Sequence, residues 1–151
     1  MNVRKIALFI ACILSGVSAF LPFYFVQVDG ITVEDGALSI MPSFYGIGIV
    51  VTAVLTIGFA LFGMSKGYII TALINAGCSF YSCYRAYLGT ETAKYSLRMA
   101  EQMSTALYSG QAQTESMNIE IVTGPGFILL IIAAILVLLM MFWNVMNPNE
   151  D

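Results

Sequence analysis

The sequence predicts an all-α membrane protein: a bundle of four transmembrane helices with a small extracytoplasmic antiparallel β-sheet and an extended third helix. The chain of 151 residues is 59% hydrophobic and only 10% charged, with a mean hydropathy of +0.86. That composition is too apolar for an ordinary soluble domain. Four apolar segments, at 6–26, 45–62, 68–88 and 127–145, have about the 20 residues that a helix needs to cross a bilayer. We therefore predict one four-span domain over 1–151, with extracytoplasmic segments at 27–44 and 89–126.

The first apolar segment follows Arg4 and Lys5 and continues through Phe25. This run is longer than the apolar part of a typical signal peptide, which favours a transmembrane helix. Pro22 is expected to kink or end that helix. Small residues recur at every fourth position, as a face for close helix packing requires; coincidence in an alanine-rich span is the alternative. These residues are Ala7, Ala11, Ser15 and Ala19.

Two short segments outside the spans alternate apolar and polar residues, which is typical of β-strands. The first surrounds Asp29 and Gly30, a dipeptide that favours a hairpin turn. The second lies just before the fourth span. A two-stranded hairpin alone is marginally stable. We therefore predict that segments 27–35 and 116–123 form one small antiparallel sheet.

The second span repeats the four-residue spacing of small side chains and is predicted to pack through them. These residues are Gly48, Thr52, Thr56 and Ala60. Residues 63–67 then leave room only for a tight turn, which makes the second and third spans antiparallel neighbours.

The third span is the most polar. Asn75, Ser79 and Ser82 follow one another at steps of three or four, with Arg85 one step further. For Asn75 an interhelical hydrogen bond is the simpler interpretation and a lining role in a permeation path is the alternative. For Arg85 the choice lies between anchoring at the membrane interface and a role at an anionic headgroup or a pore mouth.

The helical pattern of the third span continues beyond the predicted membrane boundary at residue 88. Only Gly89 interrupts it, and a lone glycine costs about 1 kcal/mol in a helix. We predict one unbroken helix from about residue 68 to about residue 109.

The charges and reactive side chains exclude several functions. Six basic residues in a chain of net charge −3 form no patch that would bind nucleic acid. Histidine is absent, and the three cysteines lie within apolar stretches. We therefore expect no catalytic residues, no metal site, no cofactor and no enzymatic activity.

The chain is expected in the plasma membrane as a multi-pass protein with both termini in the cytoplasm. Arg4 and Lys5 flank the first span directly, whereas segment 27–44 has no basic residue. The expected partners are the lipid bilayer and either further copies of the chain or a larger membrane protein. Lateral assembly is the predicted function, and a pore or transporter component is the alternative.

The order of these elements resembles a claudin-like tetraspan layout: four short spans, a strand hairpin after the first, a third helix that leaves the membrane, and a strand before the fourth. Phe20-Leu21-Pro22-Phe23 followed by alternating residues also looks like small bacterial four-span proteins of unassigned function. The resemblance implies lateral assembly or partner binding and carries no individual residue role with it.

Overall fold

A computed structural model of the chain describes residues 3–33, 38–41, 43–107 and 119–146. This part of the chain is mostly helical, with four α-helices and one small antiparallel sheet, as predicted. The helices are α1 (Val3–Ser18), α2 (Phe44–Leu61), α3 (Ser65–Leu107) and α4 (Pro125–Met146). The strands are β1 (Pro22–Val28), β2 (Ile31–Thr32), β3 (Leu38–Ser39) and β4 (Ile119–Thr123).

Strand β1 is the centre of the sheet and pairs antiparallel with the other three strands. It turns back into β2 through Asp29 (φ 51°) and Gly30 (φ 80°), the positive φ pair of a tight hairpin turn. Its longest partner is β4, in a register from Tyr24 opposite Thr123 to Val28 opposite Ile119. The predicted sheet is confirmed where described; residues 34, 35 and 116–118 of the prediction lie outside the described residues. Strand β3 was not predicted.

The prediction of a first helix over 6–26 is wrong at its end. Helix α1 stops at Ser18, and residues 22–28 form β1. The last turn tightens into bonds from the amides of Ala19 and Phe20 to carbonyls three residues earlier. Pro22 cannot continue a helix, and the aromatic residues after it pack well in a strand once β4 is available as a partner. With 16 residues, α1 is about 24 Å long.

Helix α3 is continuous for 43 residues and passes through Gly89 without a break, which confirms the prediction of one long helix. Residues 108 and 109, where we predicted its end, lie outside the described residues. Nothing lies within 4 Å of the position that a Cβ of Gly89 would take.

By length and composition, two helices of the described chain could cross a membrane: α2 and α4. They correspond to the predicted spans at 45–62 and 127–145. Helix α1 is apolar but short. Helix α3 carries an asparagine, two arginines, two lysines, two glutamates, and several serines and tyrosines that lower its hydropathy. Length and composition therefore support two of the four predicted spans.

The four helices pack side by side, with the sheet at one end. Residues 62–64 link α2 to α3 in a tight turn, with Gly63 at φ 69°. We call that end of the bundle the turn end and the other the sheet end. One apolar core lies towards the turn end, around Leu8, Ala60 and Met141. A second core joins the sheet to the helices through Phe23, Ile49, Cys83 and Leu130.

Candidate functional site

A buried asparagine on α3 connects three helices and is the centre of the candidate site. Asn75 is 0% exposed. Its Oδ1 accepts a hydrogen bond from Ser15 Oγ of α1 at 3.0 Å. Its Nδ2 donates to the Ile49 carbonyl of α2 at 2.9 Å and to Thr52 Oγ1 at 3.0 Å. We call Ser15, Ile49, Thr52 and Asn75 the polar node.

Every polar side chain of the polar node is hydrogen-bonded within the bundle. The Thr52 hydroxyl, which accepts from Asn75, itself donates to the Gly48 carbonyl at 2.7 Å. Among the described residues, no buried side-chain nitrogen or oxygen lacks a partner. An amide that bridges helices in an apolar interior stabilises one particular arrangement, since any other leaves it unpaired. The node therefore acts as an interhelical clamp.

The other residues of the predicted polar path are separate from the node's side chains. Ser79 Oγ donates to the Asn75 carbonyl at 2.8 Å, and Ser82 Oγ donates to the Cys78 carbonyl at 2.7 Å. Both serines are buried and bonded within α3, whereas Arg85 is exposed. The structure brings Asn75, Ser79 and Ser82 onto one buried face and leaves Arg85 outside it.

The predicted small-residue stripes face the interior of the bundle to different extents. Five of the eight residues are buried and three are half-buried. The buried residues are Ala11, Ser15, Ala19, Thr56 and Ala60; the half-buried residues are Ala7, Gly48 and Thr52. Gly48 has open space where a Cβ would lie, so its role is to supply the carbonyl that Thr52 binds.

Three glycines outside the predicted stripes make the closest backbone approaches. A Cβ at Gly46 would collide with the Ile40 carbonyl, and one at Gly124 with the Pro22 carbonyl. A Cβ at Gly126 would lie 2.6 Å from the Leu21 carbonyl oxygen. All three lie where the sheet joins the helices. Nothing local to Gly46 in the sequence indicates its contact.

Tyr24 of β1 connects the sheet to two helices. Its ring lies 5.9 Å from that of Phe127 at the start of α4. Burial raises the pKa of Tyr24, and a hydrogen bond with Thr90 of α3 opposes part of that rise. Together with the contacts of Gly124 and Gly126, this packing fixes the sheet on the end of the bundle.

The sequence has no histidine, and the described cysteine, aspartate and glutamate side chains form no group of three that could hold a metal ion. Comparisons with protein-family models, curated proteins and solved structures found no match. These comparisons therefore do not support the claudin-like resemblance, and the function of the chain has to be inferred from its own geometry.

Proposed function

We propose that the chain is a four-span protein of the plasma membrane, with both termini in the cytoplasm, that has no chemistry of its own and acts by associating with further copies of itself or with a larger membrane protein. The membrane part and the association part have separate support. Each part also has its own experiment, so one can fail without the other.

The distribution of side chains across the bundle supports embedding of all four helices. The small and hydroxyl side chains of the helices are mostly buried together with a few large apolar ones, and many large apolar side chains face outward. A soluble protein seldom exposes such continuous apolar surface, whereas membrane helices pack through small residues. On α4 the exposed residues follow helical spacing: Ile128, Ile132, Ile135, Leu139 and Phe142. The short helix α1 shows the same pattern with Ile6, Ile10, Ile13 and Val17.

The path of the chain also favours a crossing by α3. Helices α2 and α4 both begin at the sheet end, because Gly46 of α2 approaches the Ile40 carbonyl next to β3 and Gly126 of α4 approaches the Leu21 carbonyl before β1. If α2 crosses a bilayer, the chain must return before α4 can start. Helix α3 packs against α2 and makes that return. A bilayer tolerates the buried polar side chains of α3 because they are hydrogen-bonded inside the bundle.

Aromatic side chains lie at both ends of the bundle, as at the two interfaces of a bilayer. Phe44 and Tyr84 are exposed at the sheet end, and Phe62 and Trp143 are exposed at the turn end. Helix α2, which connects these levels with 18 residues, is about 27 Å long. This length matches the hydrocarbon core of a bilayer, about 30 Å.

We expect single cysteines on the two ends of α3 to label from opposite sides of the membrane. With an impermeant maleimide on intact cells, Tyr95→Cys should react and Lys66→Cys should react only after permeabilisation. The wild-type protein, whose Cys12 and Cys83 are buried, gives the background. Equal labelling of both variants in intact cells would contradict the four-span arrangement. Labelling of Lys66→Cys alone would contradict the cytoplasmic termini.

The association part rests on one observation: α3 projects beyond the sheet end with apolar residues exposed. Thr90 of α3 still contacts Tyr24 of the sheet, so residues 91–107, about 25 Å of helix, extend beyond it. There Tyr95 is 66% exposed and Met103 is 64% exposed, with Met99 between them on the same face. The small-residue stripes of α1 and α2 mostly pack within the chain. The exposed face of α3 is therefore the surface available for contact with another protein. Tyrosine and methionine are enriched at protein interfaces.

We expect Met99→Glu to weaken association about tenfold or more, since a charge at an apolar contact is not compensated. The measurement is the distribution of native masses in nanodiscs and the copurification of membrane partners. Ala100→Glu is the matched control, because Ala100 is the next residue, is also exposed, and points about 100° away. A wild-type protein that is monomeric and captures no membrane partner would contradict the association function. Ion flux through liposomes that Arg85→Ala or Asn75→Leu abolishes would favour the pore alternative.

A further inference from the structure

A tyrosine pair and an arginine form a cluster at the sheet end, in the groove between α2 and α3. The rings of Tyr45 and Tyr81 lie 5.0 Å apart at 55° to each other. Arg85 is one turn beyond Tyr81 on α3, on the same face of the helix. All three side chains are exposed. We call them the rim cluster.

The positive charge of the rim cluster is not neutralised within the described part of the chain. No described carboxylate forms an ion pair with Arg85, whereas Lys94, further along α3, pairs with Glu91 at 3.4 Å. A guanidinium presents five N–H donors in a planar fork that matches two oxygens of a phosphate group. The Tyr81 hydroxyl beside it is an additional donor, whereas the Tyr45 hydroxyl is hydrogen-bonded to Tyr81. The cluster thus offers donors and a cation.

The rim cluster lies at the level that a lipid headgroup would occupy in the proposed bilayer. Tyr45 is the second residue of α2, so it lies at the level where the proposed bilayer ends. On the membrane side of the cluster, Ile74 of α3 is exposed two turns before Tyr81, on the same face of the helix. A phospholipid in this groove would place an acyl chain along Ile74 and its phosphate at Arg85, which a free phosphate would not require.

We propose that the rim cluster binds the headgroup phosphate of an anionic phospholipid in the leaflet at the sheet end. Arg85 is the cation of the site, and Tyr81 is a hydroxyl donor to a remaining phosphate oxygen. Tyr45, which is hydrogen-bonded to Tyr81, holds that side chain in position. The site favours net negative headgroups because none of its three side chains is an acid that would pair with the ammonium of choline or ethanolamine. It requires the membrane embedding of the bundle and is independent of association through α3.

The test is native mass spectrometry of the full chain in detergent with phosphatidylglycerol or phosphatidylcholine added. We expect the wild type to retain phosphatidylglycerol over phosphatidylcholine, and Arg85→Gln to lower the affinity for phosphatidylglycerol about tenfold, as loss of a charged hydrogen-bond partner does. Tyr81→Phe should lower it less. Arg98→Gln is the matched control, since Arg98 is also exposed on α3 but lies more than three turns further out.

Three results would overturn the proposal. They are equal retention of phosphatidylglycerol by wild type and Arg85→Gln, equal retention of the two lipids by the wild type, and displacement of the lipid by millimolar inorganic phosphate, which would assign the site to a free anion. Far-ultraviolet circular dichroism on the same samples shows that Arg85→Gln is folded. Flotation of the wild type with liposomes tests the membrane embedding separately, so its failure and that of the lipid site are distinguishable.

Discussion

Replacing Asn75 with aspartate is expected to destabilise the helix bundle by about 3 kcal/mol or more, because it buries a charge with no cation to compensate it. The two side chains have the same shape. In the variant, however, an oxygen would face the Ile49 carbonyl at the place where Nδ2 now donates at 2.9 Å. A protonated acid would still supply one donor in place of two. The measurement is the monodisperse fraction that survives a series of heating temperatures in mild detergent.

Asn144→Asp is the control for Asn75→Asp, since it makes the same chemical change at a half-buried position in the last turns of α4. A negative charge near a helix C-terminus costs about 0.3–1 kcal/mol, so a small shift is expected there. Similar losses for the two variants would refute the view of Asn75 as a clamp. Ser15→Ala removes one hydrogen bond of the node. Its loss of stability should lie between those of the two aspartate variants, at about 1 kcal/mol.

Replacing Gly126 with alanine is expected to destabilise the junction of the sheet and the helices by about 1–3 kcal/mol, the usual cost of an overpacked contact. The new Cβ would lie 2.6 Å from the Leu21 carbonyl oxygen and 2.9 Å from that of Pro22. Both atoms belong to backbone next to or within β1, which its pairing with β4 holds in place. Neither atom can move away as the end of a flexible side chain would.

The same substitution at Gly16 should have the opposite sign. Gly16 lies within α1, and nothing is within 4 Å of the position of its Cβ. Alanine is the better helix former by about 1 kcal/mol, so Gly16→Ala should be neutral or stabilising in the same heating series. If the two variants shift the transition in the same direction, the close approach at Gly126 does not limit the stability of the junction.

Local signals in the sequence predicted the elements correctly where one signal dominated. The unbroken apolar runs of α2 and α4 predict helices whatever their neighbours are, because their length of about 20 residues is that of a membrane-spanning helix. Asp29 and Gly30 predict the hairpin because positive φ at both turn positions excludes most other residues. Gly89 did not break α3, since one glycine costs less than the sum of the helical bonds around it.

The boundary of α1 was predicted incorrectly because it depends on a distant strand. Residues 22–26 are as apolar as the helix before them, and only the pairing of β1 with β4, almost a hundred residues later, makes a strand the lower-energy state. The spacing of residues in the sequence likewise could not predict the contacts of Gly46 and Gly126, since each contact involves a carbonyl outside the glycine's own helix.

The sequence by itself determined that the chain has apolar helices, a hairpin and an asparagine that must find partners inside them, because these follow from side-chain chemistry and local backbone preference. It did not determine which atoms Asn75 would bind. Only the packing of α1, α2 and α3 brings Ser15, Ile49 and Thr52 to its amide. Hydrogen bonds act over about 3 Å, and only the tertiary structure fixes positions to that distance.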